Sequence, residues 1–252
     1  MTTTRGWRAN VARTCLFCGG TGKLTRAHLI SEALQLRLGL PDQANKRTLR
    51  EDSWLSDDGL TANYERRNIN VHPANHPAKR MCQPCNGDWM TGFEGACRSV
   101  LVEMYHGRPV SIDEATQATL STWATIVCML RSTQHPGVRA LSDQDAAFTR
   151  REEAPPPGYH VWLVNGDNEE DVSTRVYRAH QGDGELGWVG WVWLGASVLV
   201  VASDVTASAV SRRLRLLPAA AARLHPSTDH IEWPPANHVT FDSLHALLTL
   251  HE

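Results

Sequence analysis

Two Cys-x-x-Cys pairs constrain the fold of this 252-residue chain more than any other feature of its sequence. Cys15 and Cys18 form the first pair, and Cys82 and Cys85 form the second. Each pair supplies two thiolates from one tight turn, and zinc prefers tetrahedral coordination by soft ligands of this kind. The sequence therefore predicts one structural zinc site of four thiolates, with no open position for catalysis. The alternative is two unrelated pairs of reduced cysteines.

The two pairs lie far apart in the sequence. Sixty-three residues separate Cys18 from Cys82, which is well beyond the spacing of a simple zinc ribbon. Residues 41–78 are polar, with scattered Asn, Asp and Pro, and we expect them to form a long insertion with little regular structure. A shared zinc would then bring the two pairs together across this insertion.

Local patterns on either side of a Pro-rich linker predict an α+β protein. A short helix should span Ser31 to Leu38. A longer one should begin near Pro84 or Cys85 and end before Gly107, and the next should run from about Ile112 to Thr133, where 111–114 matches a capping box. The linker at 154–158 divides the chain into an N-terminal domain, 11–153, and a C-terminal domain, 159–252. In the C-terminal domain we expect an antiparallel sheet and one helix, from strand-like runs at 159–164, 174–177, 187–194 and 197–202 and a helical pattern at 204–224.

One uncharged stretch, 186–203, reaches the length at which a membrane-spanning helix becomes a candidate. It is rich in Trp and Val and contains three glycines, and Gly195 to Ser197 can turn the chain midway. A buried β-hairpin fits this pattern better than a membrane helix. We therefore expect a cytoplasmic protein with no membrane partner, since no signal-peptide pattern precedes the first cysteine pair.

The charge is unevenly distributed along the chain. Residues 1–110 contain 15 Lys and Arg against 10 Asp and Glu, whereas residues 111–252 contain 10 against 17. A polyanion should therefore prefer the N-terminal half, although a solvated surface with uneven charge explains the same numbers.

Two further polar residues lie next to the predicted zinc site. His28 follows Cys18 by ten residues, at the end of an extended segment, and Asn86 directly follows Cys85. If all four cysteines share one zinc, His28 lies on a strand packed against the helix from whose first turn Asn86 projects. A neutral imidazole at this place can accept a proton at pH 7.

These residues together resemble the HNH endonuclease family, and more closely a bacterial and phage branch of it. The resemblance covers about residues 12–105. It depends on three motifs: Cys15-x-x-Cys18, then Leu24-Thr25-Arg26-Ala27-His28-Leu29-Ile30, then Cys82-x-x-Cys85-Asn86-x-x-Trp89-Met90-x-x-Phe93-Glu94.

The resemblance implies a ββα-metal finger of the treble-clef type as the N-terminal fold. It implies that His28 is the general base for water attacking a phosphodiester, and that Asn86 is a ligand of a catalytic Mg²⁺ or Mn²⁺ ion. The middle Asn of the family motif orients the histidine, and Asn75 is the best candidate, with Asn68 and Asn70 as alternatives. Such a cation would stabilise charge on the phosphate.

The sequence departs from the family at Ala27, where a carboxylate or histidine commonly binds the catalytic metal. The resemblance leaves open whether His72, His76, Asp88 or the scissile phosphate supplies the missing ligand. Glu94 is expected to form a structural salt bridge with a nearby Arg.

Four basic residues flank the proposed site in the sequence. Lys and Arg side chains there could follow a DNA backbone, although a solvated loop explains them equally well; they are Arg66, Arg67, Lys79 and Arg80.

The sequence therefore supports two functional hypotheses. The first is a metal-dependent HNH-type endonuclease that acts on DNA, in which the C-terminal domain supplies substrate choice or oligomerisation, for example as a homodimer. The second is a zinc module without catalysis that binds nucleic acid or protein, and Ala27 is the residue that favours it.

Overall fold

The segment after the first cysteine pair forms a strand and a short helix. A computed structural model describes residues 14–40, 48–55, 62–69, 77–134, 142–167, 172–181, 185–215, 220–227, 230–240 and 242–244. Strand β1 spans Leu24–His28, and helix α1 spans Glu32–Arg37. Ser31 caps α1, because its hydroxyl accepts a hydrogen bond from the Leu34 N–H at 3.1 Å.

The insertion contains more regular structure than its polar composition suggested. Strands β2, Thr48–Leu55, and β3, Ala62–Ile69, form an antiparallel hairpin, and β4 begins at Pro77. The expectation of little regular structure over 41–78 was therefore wrong for these residues. Cross-strand pairing such as that of Glu51 with Arg66 depends on a partner fifteen positions away, so local composition does not reveal it.

Strand β4, Pro77–Cys82, pairs antiparallel with β1 and leads directly into a long helix. The first part of this helix, Pro84–Met90, is wound as a π-helix, and it continues as α2, Thr91–Tyr105. The sequence predicted this helix within a residue or two at both ends. The arrangement is therefore an antiparallel strand pair followed by a helix, with one cysteine pair before β1 and the other at the β4–helix junction.

Helix α3, Glu114–Ser132, follows the short strand β5, Val110–Ile112. Its cap differs from the prediction: Asp113 caps the helix by accepting from the Thr116 N–H at 2.8 Å, and Ser111 belongs to β5. Thirteen of its nineteen residues are buried, so α3 is a central helix packed on all sides. Helix α4, Asp143–Glu152, comes next.

The C-terminal half forms a five-stranded antiparallel sheet, as the sequence predicted. Its order is β10-β6-β9-β8-β7, and the uncharged stretch 186–203 forms the hairpin of β8 and β9 apart from the first residue of β8. The strands are β6, His160–Asn165; β7, Val172–Gln181; β8, Glu185–Leu194; β9, Ser197–Ala202; and β10, Ala221–His225. No helix in the described ranges is long and apolar enough to cross a membrane.

Helices cover both faces of this sheet. Alternate residues of β6, β8 and β9 pack against α3 in one buried cluster, and the intervening residues pack against α5, Asp204–Leu214, in a second cluster. Gly190 permits the close approach of α3, because a Cβ there would lie 3.1 Å from the Cys128 Sγ atom. The helix predicted over 204–224 ends at Leu214, and its last residues form β10 instead.

The first buried cluster runs from Cys15 to Trp233 and so joins residues on both sides of the 154–158 linker. Strand β11, Ile231–Trp233, pairs with β5 and adds a second connection between the two halves. The division into domains 11–153 and 159–252 stays a prediction.

A candidate zinc centre and an adjacent cleft

The four cysteines of the two pairs meet at one place, as the sequence predicted. Their Sγ atoms all lie within 4.8 Å of one another, and the Cys18 and Cys82 Sγ atoms are 3.6 Å apart. Tetrahedral zinc with Zn–S bonds of about 2.3 Å places its sulfur atoms about 3.8 Å from each other. The donor set and its spacing therefore fit a zinc ion.

Backbone hydrogen bonds hold the first pair in its turn and join it to β4. The Gly19 N–H donates to the Cys15 carbonyl at 2.9 Å, and Gly19 adopts a positive φ of 69°. The Leu16 N–H donates to the Arg80 carbonyl at 2.8 Å, and the Cys82 N–H donates to the Cys15 Sγ atom at 3.4 Å. The two pairs are therefore connected by the backbone as well as by their sulfur atoms.

The thiols influence each other's ionisation. Burial acts to raise the pKa of Cys15, but hydrogen bonds from backbone N–H groups, that of Cys82 first, outweigh it and lower this pKa to about 7. Burial, together with the neighbouring sulfur atoms, raises the pKa of Cys85 far above its usual range. Four thiolates packed this closely need a cation among them, which is what a zinc ion supplies.

An aromatic cluster forms around Trp89, which follows Cys85 by four residues. The ring centroids of Trp89 and Phe17 lie 5.1 Å apart, and those of Trp89 and Phe93 lie 5.8 Å apart. The Arg150 guanidinium of α4 lies over the Trp89 ring, 5.0 Å from its centroid. Contacts on both sides of Trp89 therefore fix the start of the long helix, where Asn86 lies.

His28 and Asn86 line the same cleft, which has a volume of about 370 Å³. Three walls form it: β1, the start of α1, and the first turns of the long helix. The lining residues are Arg26, His28, Ser31, Glu32, Ala33, Asn86, Gly87, Met90, Thr91 and Glu94. Residues on both sides of the zinc site thus contribute to one cavity, although they lie far apart in sequence.

His28 is half-buried at the end of β1, and its Nδ1 atom is buried. Among the residues that the structure describes, this atom has no hydrogen-bond partner. A buried ring nitrogen without a partner is uncommon in a purely structural histidine. The described residues therefore leave the hydrogen-bonding capacity of this atom unmet.

Glu94 lines the cleft, and its carboxylate contacts Ser31 and Arg98. It is 1% exposed, and it accepts hydrogen bonds from the N–H of Ser31, at 3.1 Å, and from the Ser31 hydroxyl. The Arg98 guanidinium lies 3.8 Å from Glu94 Oε1, the oxygen that also accepts from the Ser31 hydroxyl, and this contact confirms the predicted salt bridge. Glu94 thus fastens the capped start of α1 to α2.

Ala27 faces away from the cleft. It is 0% exposed and belongs to the buried cluster, whereas Arg26 and His28, its neighbours on β1, line the cleft. A carboxylate at position 27 would therefore point into the core in this chain. The alternation of polar and small residues in Arg26-Ala27-His28 already indicates that position 27 faces the core.

Two cleft residues were not singled out from the sequence. Arg26 shares the strand face of His28, a relation that a period of two would have revealed. Glu32 is exposed in the first turn of α1, and in the described parts of the chain it forms no ion pair. Among the described lining residues, Glu32 is therefore the carboxylate outside such contacts, since Glu94 accepts hydrogen bonds from Ser31.

The remaining site residues lie elsewhere or outside the described residues. Asn75, Asn70, His72 and His76 fall outside them, and the side chains of Asn68, Arg66 and Arg67 on β3 do as well. Lys79 and Arg80 lie on β4, and Asp88 is exposed on the long helix without lining the cleft.

Comparison of the chain with protein-family models, with curated proteins and with solved structures gives no significant match.

Proposed function

We propose that this protein is a metal-dependent endonuclease of the HNH type that hydrolyses phosphodiester bonds in DNA. The observation that carries the proposal is the placement of His28 and Asn86 in one cleft beside a four-cysteine zinc centre. The antiparallel pair β1–β4, followed at once by a helix, is the arrangement expected of a ββα-metal finger.

His28 acts as the general base. Its imidazole accepts a proton from a water molecule, the water oxygen forms a bond to phosphorus, and the ester P–O bond breaks as its oxygen takes a proton from solvent. General-base catalysis of this kind contributes about 10² to 10⁴ in rate. The zinc centre takes no part in the chemistry, because four thiolates leave it no open position.

The cleft offers oxygen ligands for a catalytic divalent cation. Asn86 and Glu32 present an amide and a carboxylate oxygen, which are the ligands that Mg²⁺ and Mn²⁺ prefer. When bound there, the cation would stabilise negative charge on the phosphate. Asn86 and Glu32 would hold it, and Glu32 would take the role that the family gives to the residue before the histidine.

The experiment is cleavage of supercoiled plasmid by the zinc-loaded protein, with Mg²⁺ or Mn²⁺ added. We expect His28→Ala to reduce the rate at least about 100-fold. His106→Ala is the matched control, because His106 is exposed at the end of α2 and does not line the cleft. Elemental analysis should find about one zinc ion per chain in the same preparations. If His28→Ala cleaves as fast as the wild type, the assignment of the base is wrong.

One observation favours a second function, a zinc module that binds nucleic acid without cutting it. Position 27 lies in the core, and Glu94 forms a hydrogen bond with Ser31 and an ion pair with Arg98, so among the described lining residues only Glu32 offers a carboxylate outside such contacts. On this alternative, DNA binding persists while the plasmid stays intact with every divalent cation tried.

A further inference from the structure

An irregularity in the β1–β4 pair places three cationic residues at adjoining positions of the two strands. Thr25 pairs with Met81, and Ala27 pairs with Ala78, so Arg26 alone stands opposite both Lys79 and Arg80. This is a β-bulge, with one extra residue on β4. Bulges commonly redirect side chains beside functional sites, and this one lies two residues from His28.

Among the described residues, the three cations have no acidic partners. Arg26 and Lys79 are exposed, and Arg80 is half-buried, with a buried Nε atom that forms no hydrogen bond to a described residue. Within the ranges that the structure describes, none of the three forms an ion pair. Like charges at opposite positions of a strand pair are destabilising, so this cluster costs the folded protein free energy unless an anion neutralises it.

The cluster is continuous with the cleft. Arg26 lines the cleft together with His28, because residues two apart on a strand share a face and lie about 6.6 Å apart. The guanidinium is a planar fork that matches the geometry of a phosphate group. If one phosphate of a DNA backbone lies beside His28, the next phosphate along the backbone would therefore lie beside Arg26.

We propose that Arg26 and Lys79 bind the DNA backbone beside the phosphate that His28 faces. The bulge sets the path of the bound DNA strand. This DNA strand crosses the β1–β4 pair from the cleft toward Lys79. This inference rests on the proposed function, since it takes the substrate to be DNA. Beyond the proposed function, Arg26 and Lys79 would set the position at which the DNA backbone enters the cleft.

The test is the salt dependence of binding to a fluorescein-labelled duplex oligonucleotide. Fluorescence anisotropy would be measured on zinc-loaded protein at several NaCl concentrations, in buffer without Mg²⁺, Mn²⁺ or chelator. Each phosphate contact contributes about 0.9 to the slope of log K against log [salt]. Arg26→Gln and Lys79→Gln should each lower the slope by about 0.9, and each should weaken binding roughly eightfold at about 0.1 M salt.

Three controls separate a contact from a structural effect. Arg151→Gln makes the same charge change on α4, far from the bulge in sequence, and should leave the slope unchanged. Arg26→Lys keeps the charge and should keep the slope. Because Arg26 and Lys79 repel each other, Arg26→Gln should also unfold at the wild-type urea concentration or above it.

The outcomes distinguish this inference from the proposed function. If the wild type binds the duplex and neither glutamine variant changes the slope, the inference is overturned and the proposed function stands. If the zinc-loaded wild type binds no duplex at any salt concentration and leaves plasmid intact, both are overturned.

Discussion

Ala27→Asp tests whether the residue before His28 faces the core or the cleft. The family resemblance suggests that a carboxylate at this position would complete the metal site and raise activity. The structure leads to the opposite expectation. Ala27 is 0% exposed, and its cross-strand partner Ala78 is 1% exposed, so an Asp side chain would enter a packed apolar region.

The expected cost follows from the burial. An uncompensated charge in a protein interior costs about 3–5 kcal/mol, and a protonated carboxyl without partners costs about 1–3 kcal/mol. Burial raises the pKa of such an Asp above its unfolded value of about 3.9, so the native state binds the proton more tightly. The loss of stability therefore grows as the pH rises from about 4 toward neutrality.

The assay is urea unfolding of the zinc-loaded protein, followed by tryptophan fluorescence at pH 5 and pH 7.5. With a urea m-value of up to about 3 kcal/mol/M, a loss of about 3 kcal/mol lowers the midpoint by at least about 1 M. Arg26→Asp is the matched control, because it introduces the same side chain at the adjacent, exposed position. Its cost should stay below about 1 kcal/mol, the range of strand propensity.

One combination of results would refute this reasoning. If Ala27→Asp unfolds at the wild-type midpoint at pH 7.5 and cleaves plasmid faster with Mg²⁺, then side chain 27 faces the cleft. The position would in that case be the missing metal ligand that the family pattern indicates.

Two further predictions concern the rest of the fold. Asp113→Ala should lower the free energy of unfolding, measured with urea, by about 1 kcal/mol, because it removes the cap of α3. Ser111→Ala should change it by less than about 0.5 kcal/mol. Equal effects of the two substitutions would mean that Ser111 is the cap. The pKa of His225 is lowered, mainly by burial and then by the charges of His160 and Arg223. The unfolded chain therefore binds a proton more readily than the native state, and stability falls as the pH drops through about 6.5. His225→Gln should flatten this pH dependence between pH 7.5 and 5.5, and an unchanged profile would assign it to other groups.

The sequence predicted those parts of the fold whose signals are local. Cysteine spacing identified the four cysteines that meet as a candidate metal site, and the Trp-rich alternation identified the hairpin of β8 and β9. The helix after Cys85 was also predicted, because its apolar residues recur with the helical period. Each Cys-x-x-Cys pair spans four residues, and the hairpin and helix patterns each lie within about twenty residues.

The features that were missed depend on distant partners. Strands β2 and β3 are polar, and only the pairing between them reveals the hairpin. Strand β10 lies at the edge of the large sheet, although its sequence has helical periodicity. The cap of α3 was assigned two residues too early, because β5 pairs with β11 and so takes Ser111 into a strand. Tertiary pairing overrides local propensity at these places.

The bulge in β1–β4 connects the zinc centre to the chemistry proposed for the cleft. The Leu16 N–H bonds to the Arg80 carbonyl, so the first cysteine pair holds β4 at the point where its extra residue lies. Asn86 follows Cys85 directly, so a zinc ion held by the four cysteines would fix the start of the long helix relative to the same strand. A closed metal site with no catalytic position can in this way set the separation of His28, Arg26 and Asn86.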